Sequence, residues 1–123
     1  MASGFLDWSK EKPREVIPGF VGRFLHSDTM TFALWEIAAG SRLPEHAHIH
    51  EQVVLLYEGE FELTVDGQTR RLSSGGVFAI PANARHSGRA ITDCRIMDVF
   101  HPVREDYRDG VTTTLLNAAA KSG

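Results

Sequence analysis

Positions 40–59 read GSRLPEHAHIHEQVVLLYEG, with His46 and His48 two residues apart, His50 next, and Gln52 after a single glutamate. Neutral imidazoles are good ligands for first-row transition metals, and two of them on one face make half of a metal site. In an extended strand alternate side chains point the same way, so His46, His48 and, if the strand is unbroken, Gln52 project to one side. His50 shares their parity; at the pocket rim or in solvent it would stand outside the ligand set. The remaining ligands must come from elsewhere in the chain. His86, beyond the next hairpin, is the best donor left.

The elements that must carry His86 back to the first pair read as short strands. Segments 20–26 and 30–37 are strand-like by their aromatic and branched content. Pro44 marks an edge position or an irregular entry to the histidine segment. Residues 53–57 form an apolar run, 61–65 alternate strictly, and Asp66-Gly67 is a strong hairpin signal before a return strand at 69–72. A further strand is expected at 77–80, then a turn at Pro81-Ala82-Asn83 toward His86, then one long strand over 90–100. A helical turn is expected near 104–107, stopped by Asp109-Gly110. Strands at roughly 8–12-residue spacing, with turn signals between them and no useful helical periodicity, predict an all-β sandwich or barrel.

The composition, 42% hydrophobic and 24% charged, is that of a globular chain, and 123 residues suffice for one domain with a real core. A net charge of −3 gives no basic footprint, which argues against a nucleic-acid partner and leaves any anionic ligand to be drawn in by local cations. The single cysteine, Cys94, rules out an intrachain disulfide and reads as a small buried hydrophobe. The opening MASGFLDWSKEKPRE has no apolar signal core, and no run approaches the ~20 apolar residues that span a bilayer. A cytoplasmic protein with no membrane partner is expected. Residues 1–18 read as a leader packing on the domain through Phe5 and Trp8, 19–112 as the β-barrel, and 113–123 as a frayed tail.

Gly40, five residues, His46-x-His48, then Gln52, six residues and Gly59 resembles the first cupin motif. Gly75, five residues, Pro81-x-Asn83-x-x-His86 resembles the second. The resemblance implies a double-stranded β-helix, or jelly roll, whose inner face holds one divalent transition metal through His46, His48, Gln52 and His86. Ni, Fe, Zn, Mn and Co are all compatible with that set. Two positions depart from the pattern: Gln52 replaces the usual glutamate, and Asn83 stands where glycine is common. A neutral amide leaves the site one unit more positive than a carboxylate would, a stronger electrophile and a weaker metal trap.

The segments His48-Ile49-His50-Glu51-Gln52, 59–65 and 97–107 are similar to the pectin-degradation cupins. Those proteins convert the 4,5-unsaturated uronates released by pectate or alginate lyases to linear keto sugar acids. That likeness implies Asp98 as acid/base, Arg104 as carboxylate anchor, Phe100 as an apolar wall for the sugar, and a homodimer. For the dimer, Phe5, Trp8 and Phe20 offer apolar surface. By strand parity Asp98 shares a face with Cys94, Ile96 and Phe100 and points into the core, where a carboxylate without a purpose is costly. Phe100 alone reads as core, and Arg104 alone reads as a surface partner of Glu105 or Asp106. Another metal-dependent cupin enzyme such as a dioxygenase, or a sugar-binding cupin without catalysis, are the alternatives.

Overall fold

A computed structural model describes residues 5–110, which build two antiparallel β-sheets around one apolar core. The strands are β1 (Arg14–Ile17), β2 (Phe20–His26), β3 (Thr31–Ile37), β4 (Arg42–His46), β5 (Glu51–Glu58), β6 (Glu60–Val65), β7 (Gln68–Ser73), β8 (Val77–Ile80), β9 (His86–Ala90) and β10 (Cys94–His101). One helical turn, α1 (Glu105–Arg108), follows. The larger sheet runs β1-β2-β3-β10-β5-β8, and the smaller runs β4-β9-β6-β7. Inward residues of β10 (Cys94, Ile96, Asp98 and Phe100) alternate with more exposed ones, as the parity of that strand required. They meet Phe61 and Leu63 of β6 in the core. Tyr107 of α1 packs its ring on Phe24, Trp35 and Phe100 and so closes that part of the core.

Turn chemistry sits where the residues demanded it. Asp66 and Gly67 both have positive φ, 49° and 80°, as the tight hairpin between β6 and β7 requires. Asn83 has φ 66°, which explains its place in a position that often holds glycine: asparagine is among the few other residues that adopt left-handed backbone readily. Its N–H donates to the His48 carbonyl at 2.8 Å, tying the two histidine-bearing segments together.

Three expectations need correction. The stretch from His46 to Gln52 is not one strand: β4 ends at His46, β5 begins at Glu51, and the two lie in different sheets. The long strand expected at 90–100 begins only at Cys94, as β10; Ala90 ends β9, and a turn at 91–93 separates the two. The Asp93 carboxylate holds that turn by accepting the Ala39 N–H at 2.8 Å, and a Cβ on Gly59 would lie only 2.2 Å from the Asp93 carbonyl oxygen. The sequence of β9, HSGRA, lacks any apolar alternation, so nothing marked it as a strand. Third, the leader does not pack through Phe5, which is fully exposed; Trp8 is half-buried in a short 3-10 turn, and 14–17 form an edge strand. Phe20 belongs to the core, so it offers no surface to a partner. The expected tail at 113–123 lies outside the described residues.

Candidate metal centre

Two of the three imidazoles stand on paired strands of the smaller sheet, and the third joins them from the connection to the larger one. His46, the last residue of β4, stands opposite His86, the first of β9, and a slip in register between Leu43 and His46 precedes the pair. That slip falls beside Pro44, on the edge strand where a missing N–H costs least. His48 lies in the connection to β5, and Gln52 faces inward near the start of β5, opposite Phe100 of β10. One ligating nitrogen from each of His46, His48 and His86 lies within 4.8 Å of the others.

Backbone carbonyls fix which nitrogen that is. His46 Nδ1 is 2.8 Å from the Pro44 carbonyl, His48 Nδ1 is 3.0 Å from that of His50, and His86 Nδ1 is 3.0 Å from that of Ala84. A carbonyl only accepts, so each Nδ1 carries the proton and each Nε2 is left as a bare lone pair. His86 Nε2 is buried with no hydrogen-bond partner. His48 Nε2 faces Gln52 Oε1 at 3.2 Å, two acceptors with no proton between them. This donor set fits a divalent transition metal: the lone pairs are already turned toward one point, and a cation there would satisfy all of them.

Burial keeps the imidazoles neutral. It pushes His46 down to about 4, with the neighbouring His86 adding to the effect. It pushes His48 down to about 3, helped by the charge of Arg104, and lowers His86 as well. An ordinary histidine titration near 6.5 would have set the acid limit of metal binding; the site moves that limit well below it.

The second cluster is oriented by side chains. Asp98 is buried, and its Oδ2 accepts the Trp35 indole N–H at 2.9 Å. Its Oδ1 is buried with no hydrogen bond closed, and the Gln52 amide lies beside it. Burial pushes the Asp98 carboxyl up to about 6 against the opposing pull of Gln52, Trp35 and Arg104. Arg104 is only 1% exposed, which overturns the surface reading. Its Nε and Nη2 donate to the two Asp106 oxygens at 2.9 and 2.6 Å, and its guanidinium lies over the Phe100 and Tyr107 rings at 4.8 and 4.1 Å. The Arg104 N–H donates to Thr31 Oγ1 at 2.8 Å.

Phe100 joins the two clusters, its ring 5.7 Å from that of His48 and stacked against Arg104. His46, Gln52, His86, Asp98, Phe100 and Arg104 all line one cavity of about 40 Å³. At about 10–15 Å³ per water that is room for a few waters. His50 stacks beside His48 at 5.4 Å but lies outside the imidazole triad. Sequence reasoning passed over Trp35, whereas Asp106 was named as a partner of Arg104 and is one, with Arg104 buried instead of at the surface. A tryptophan inside a core strand was itself a signal, because a buried indole N–H needs an acceptor.

Comparison with known proteins places these features in a family. The cupin domain model matches residues 33–100. L-ectoine synthase of Streptomyces anulatus is 33% identical over 103 residues, 78% of each chain. The pectin degradation protein KdgF of Dickeya dadantii is 28% identical over 83 residues, 66% of this chain and 76% of its own. The solved structure of KdgF from Halomonas sp. superposes with a TM-score of 0.80 at 27% identity, over 86% of this chain and 99% of that one. The expected jelly roll, both histidine motifs and the domain match agree: this chain belongs to the cupin family.

Proposed function

We propose that this cupin is a metal-dependent enzyme that opens the ring of 4,5-unsaturated monouronates to linear 5-keto-4-deoxyuronates. One observation carries the reading. Uncharged metal ligands, a buried carboxyl whose pKa is raised to about 6, and a buried guanidinium meet in a single cavity. The likeness to the two KdgF proteins supports the substrate class.

The reaction moves one proton and consumes no oxidant. The C1 hydroxyl of the cyclic hemiacetal gives up its proton and becomes the aldehyde; the C1–O5 bond breaks with its electron pair to O5. As O5 becomes the C5 ketone, the C4=C5 electrons take a proton at C4. Asp98 Oδ1, unpartnered and facing Gln52, would receive the first proton and return it at C4; a carboxyl near pKa 6 exchanges protons readily at neutral pH. Arg104 spends Nε and Nη2 on Asp106, which leaves the Nη1 edge for the substrate carboxylate. Phe100 gives the entering group an apolar wall. His46, His48, His86 and the Gln52 oxygen would hold the metal, and a metal there supplies positive charge for the developing oxyanion without a carboxylate ligand to dilute it.

The test is incubation of metal-replete protein with lyase-generated unsaturated monouronates, following loss of their conjugated ultraviolet absorption without oxygen uptake. Stable absorption with both pectin- and alginate-derived substrates would overturn the proposal, and oxygen uptake would favour a dioxygenase. The 33% identity to L-ectoine synthase supports a second reading, formation of ectoine, which product analysis separates from the first.

A further inference from the structure

Backbone carbonyls settle which atom of each imidazole faces the site, and Gln52 poses the same question. Its side-chain amide has an oxygen at one end and an NH₂ at the other, and only the oxygen can bind a cation. The wrong orientation would turn two N–H groups onto the metal position and the lone pair of His48. Something must choose the end.

We propose that Trp35 chooses it through Asp98. Trp35 Nε1–H holds Asp98 Oδ2 at 2.9 Å, so the carboxylate cannot swing. Its other oxygen, Oδ1, is buried with no hydrogen bond closed, and Gln52 lies beside it as a donor. An acceptor on that side draws the NH₂ of Gln52 and turns Oε1 toward His48 Nε2, where it is found at 3.2 Å. The indole is itself held. It packs edge-on to Phe20, Phe24 and Tyr107, with ring centroids 6.2, 5.4 and 6.0 Å away. Gly22, its cross-strand neighbour in β2, leaves it the space: a Cβ there would lie 2.8 Å from the indole ring. Gly22, Trp35, Asp98 and Gln52 thus form one chain of orientation, and Trp35 is a positioning residue for a metal ligand.

The inference rests on the metal assignment, not on the substrate. Substitution of Gln52 by glutamate supplies the test, because a carboxylate has two equivalent oxygens and no wrong end. Apo-protein is titrated with Co(II) at pH 8, reading the dissociation constant and the d–d absorption spectrum. The variants are Trp35→Phe, which keeps an aromatic ring in the core, and Asp98→Asn, which keeps the shape of the carboxylate. With Gln52 present, each should weaken Co(II) binding about tenfold or more, the usual range for partners that orient a ligand. In the Gln52→Glu background each should change affinity less than twofold. Equal losses in both backgrounds would mean a merely structural role and overturn the proposal. So would unchanged affinity and spectrum in the Gln52 background. Failure of the wild-type protein to bind Co(II) would overturn the ligand assignment together with the inference.

Discussion

The two polar clusters in the barrel are oriented by different means. Each imidazole is held by a backbone carbonyl within two residues of itself, so its direction follows from the path of the chain. Asp98 and Arg104 are held by other side chains, Trp35 and Asp106, each replaceable by one substitution. The imidazole cluster should therefore be indifferent to the side chains around it, whereas the acid–guanidinium cluster should be tunable through its partners.

The largest effect should come from breaking the first cluster outright. Elemental analysis of wild-type protein purified without chelator should give near-stoichiometric metal, and the His48→Ala, His86→Ala double variant should retain almost none. Next is Asp98→Asn, which removes the exchangeable proton from the second cluster. With metal content verified, kcat for uronate ring opening should fall on the order of 10²–10⁴-fold, the range for general acid–base catalysis. Gln52→Glu tests the contact between the clusters. An anionic ligand should tighten metal binding while weakening the electrophile and repelling a uronate, so turnover should drop with metal still bound.

A pH titration of the metal-free protein separates the clusters by sign. His46 and His48 have folded pKa values of about 4 and 3 against an ordinary 6.5, so the unfolded chain takes up their protons first. Their contribution is intact above about 6.5 and is lost as pH falls toward 3–4. Asp98, raised from 3.8 to about 6, works the other way: its contribution is present below 3.8 and lost as pH rises through 6. The denaturant midpoint of the apo-protein should fall from pH 6.5 to 4, and more steeply in Asp98→Asn, which lacks the opposing group. The smallest effect is expected from Glu45→Ala or Arg85→Ala. These side chains form an exposed ion pair at 3.2 Å, on the residues just before His46 and His86. Metal affinity in either variant should stay within about twofold, because exposed pairs contribute little and neither side chain orients an imidazole.

Much of this architecture was legible in the residues. Strict alternation in 61–65 and the Asp66-Gly67 turn locate one hairpin, and the parity of 94–100 alone turns Asp98 inward. The gathering of His46, His48, Gln52 and His86 was legible for a partly mistaken reason. His46 and Gln52 share no strand; they meet because β4 and β5 leave opposite sheets and the chain bends between them. Spacing records that a pattern exists, but a bend through three dimensions leaves no period to read. The burial of Arg104 was illegible for a related reason. The residues that follow it are charged, and one of them, Asp106, is its partner, whereas the groups that bury it, Phe100, Tyr107 and Thr31, are contributed by three elements.

The hydrogen bonds at His46 and His86 share one form: the ring proton goes to the carbonyl two residues earlier, on two strand ends that face each other. Each ligand therefore travels with its own bearing, as a tripeptide whose first residue aims the third. The two units enter the pair differently, since Pro44 and Glu45 lie within β4 whereas Ala84 and Arg85 precede β9, yet each aims its imidazole without help from a distant side chain. Their middle residues, Glu45 and Arg85, are left to pair with each other at the surface.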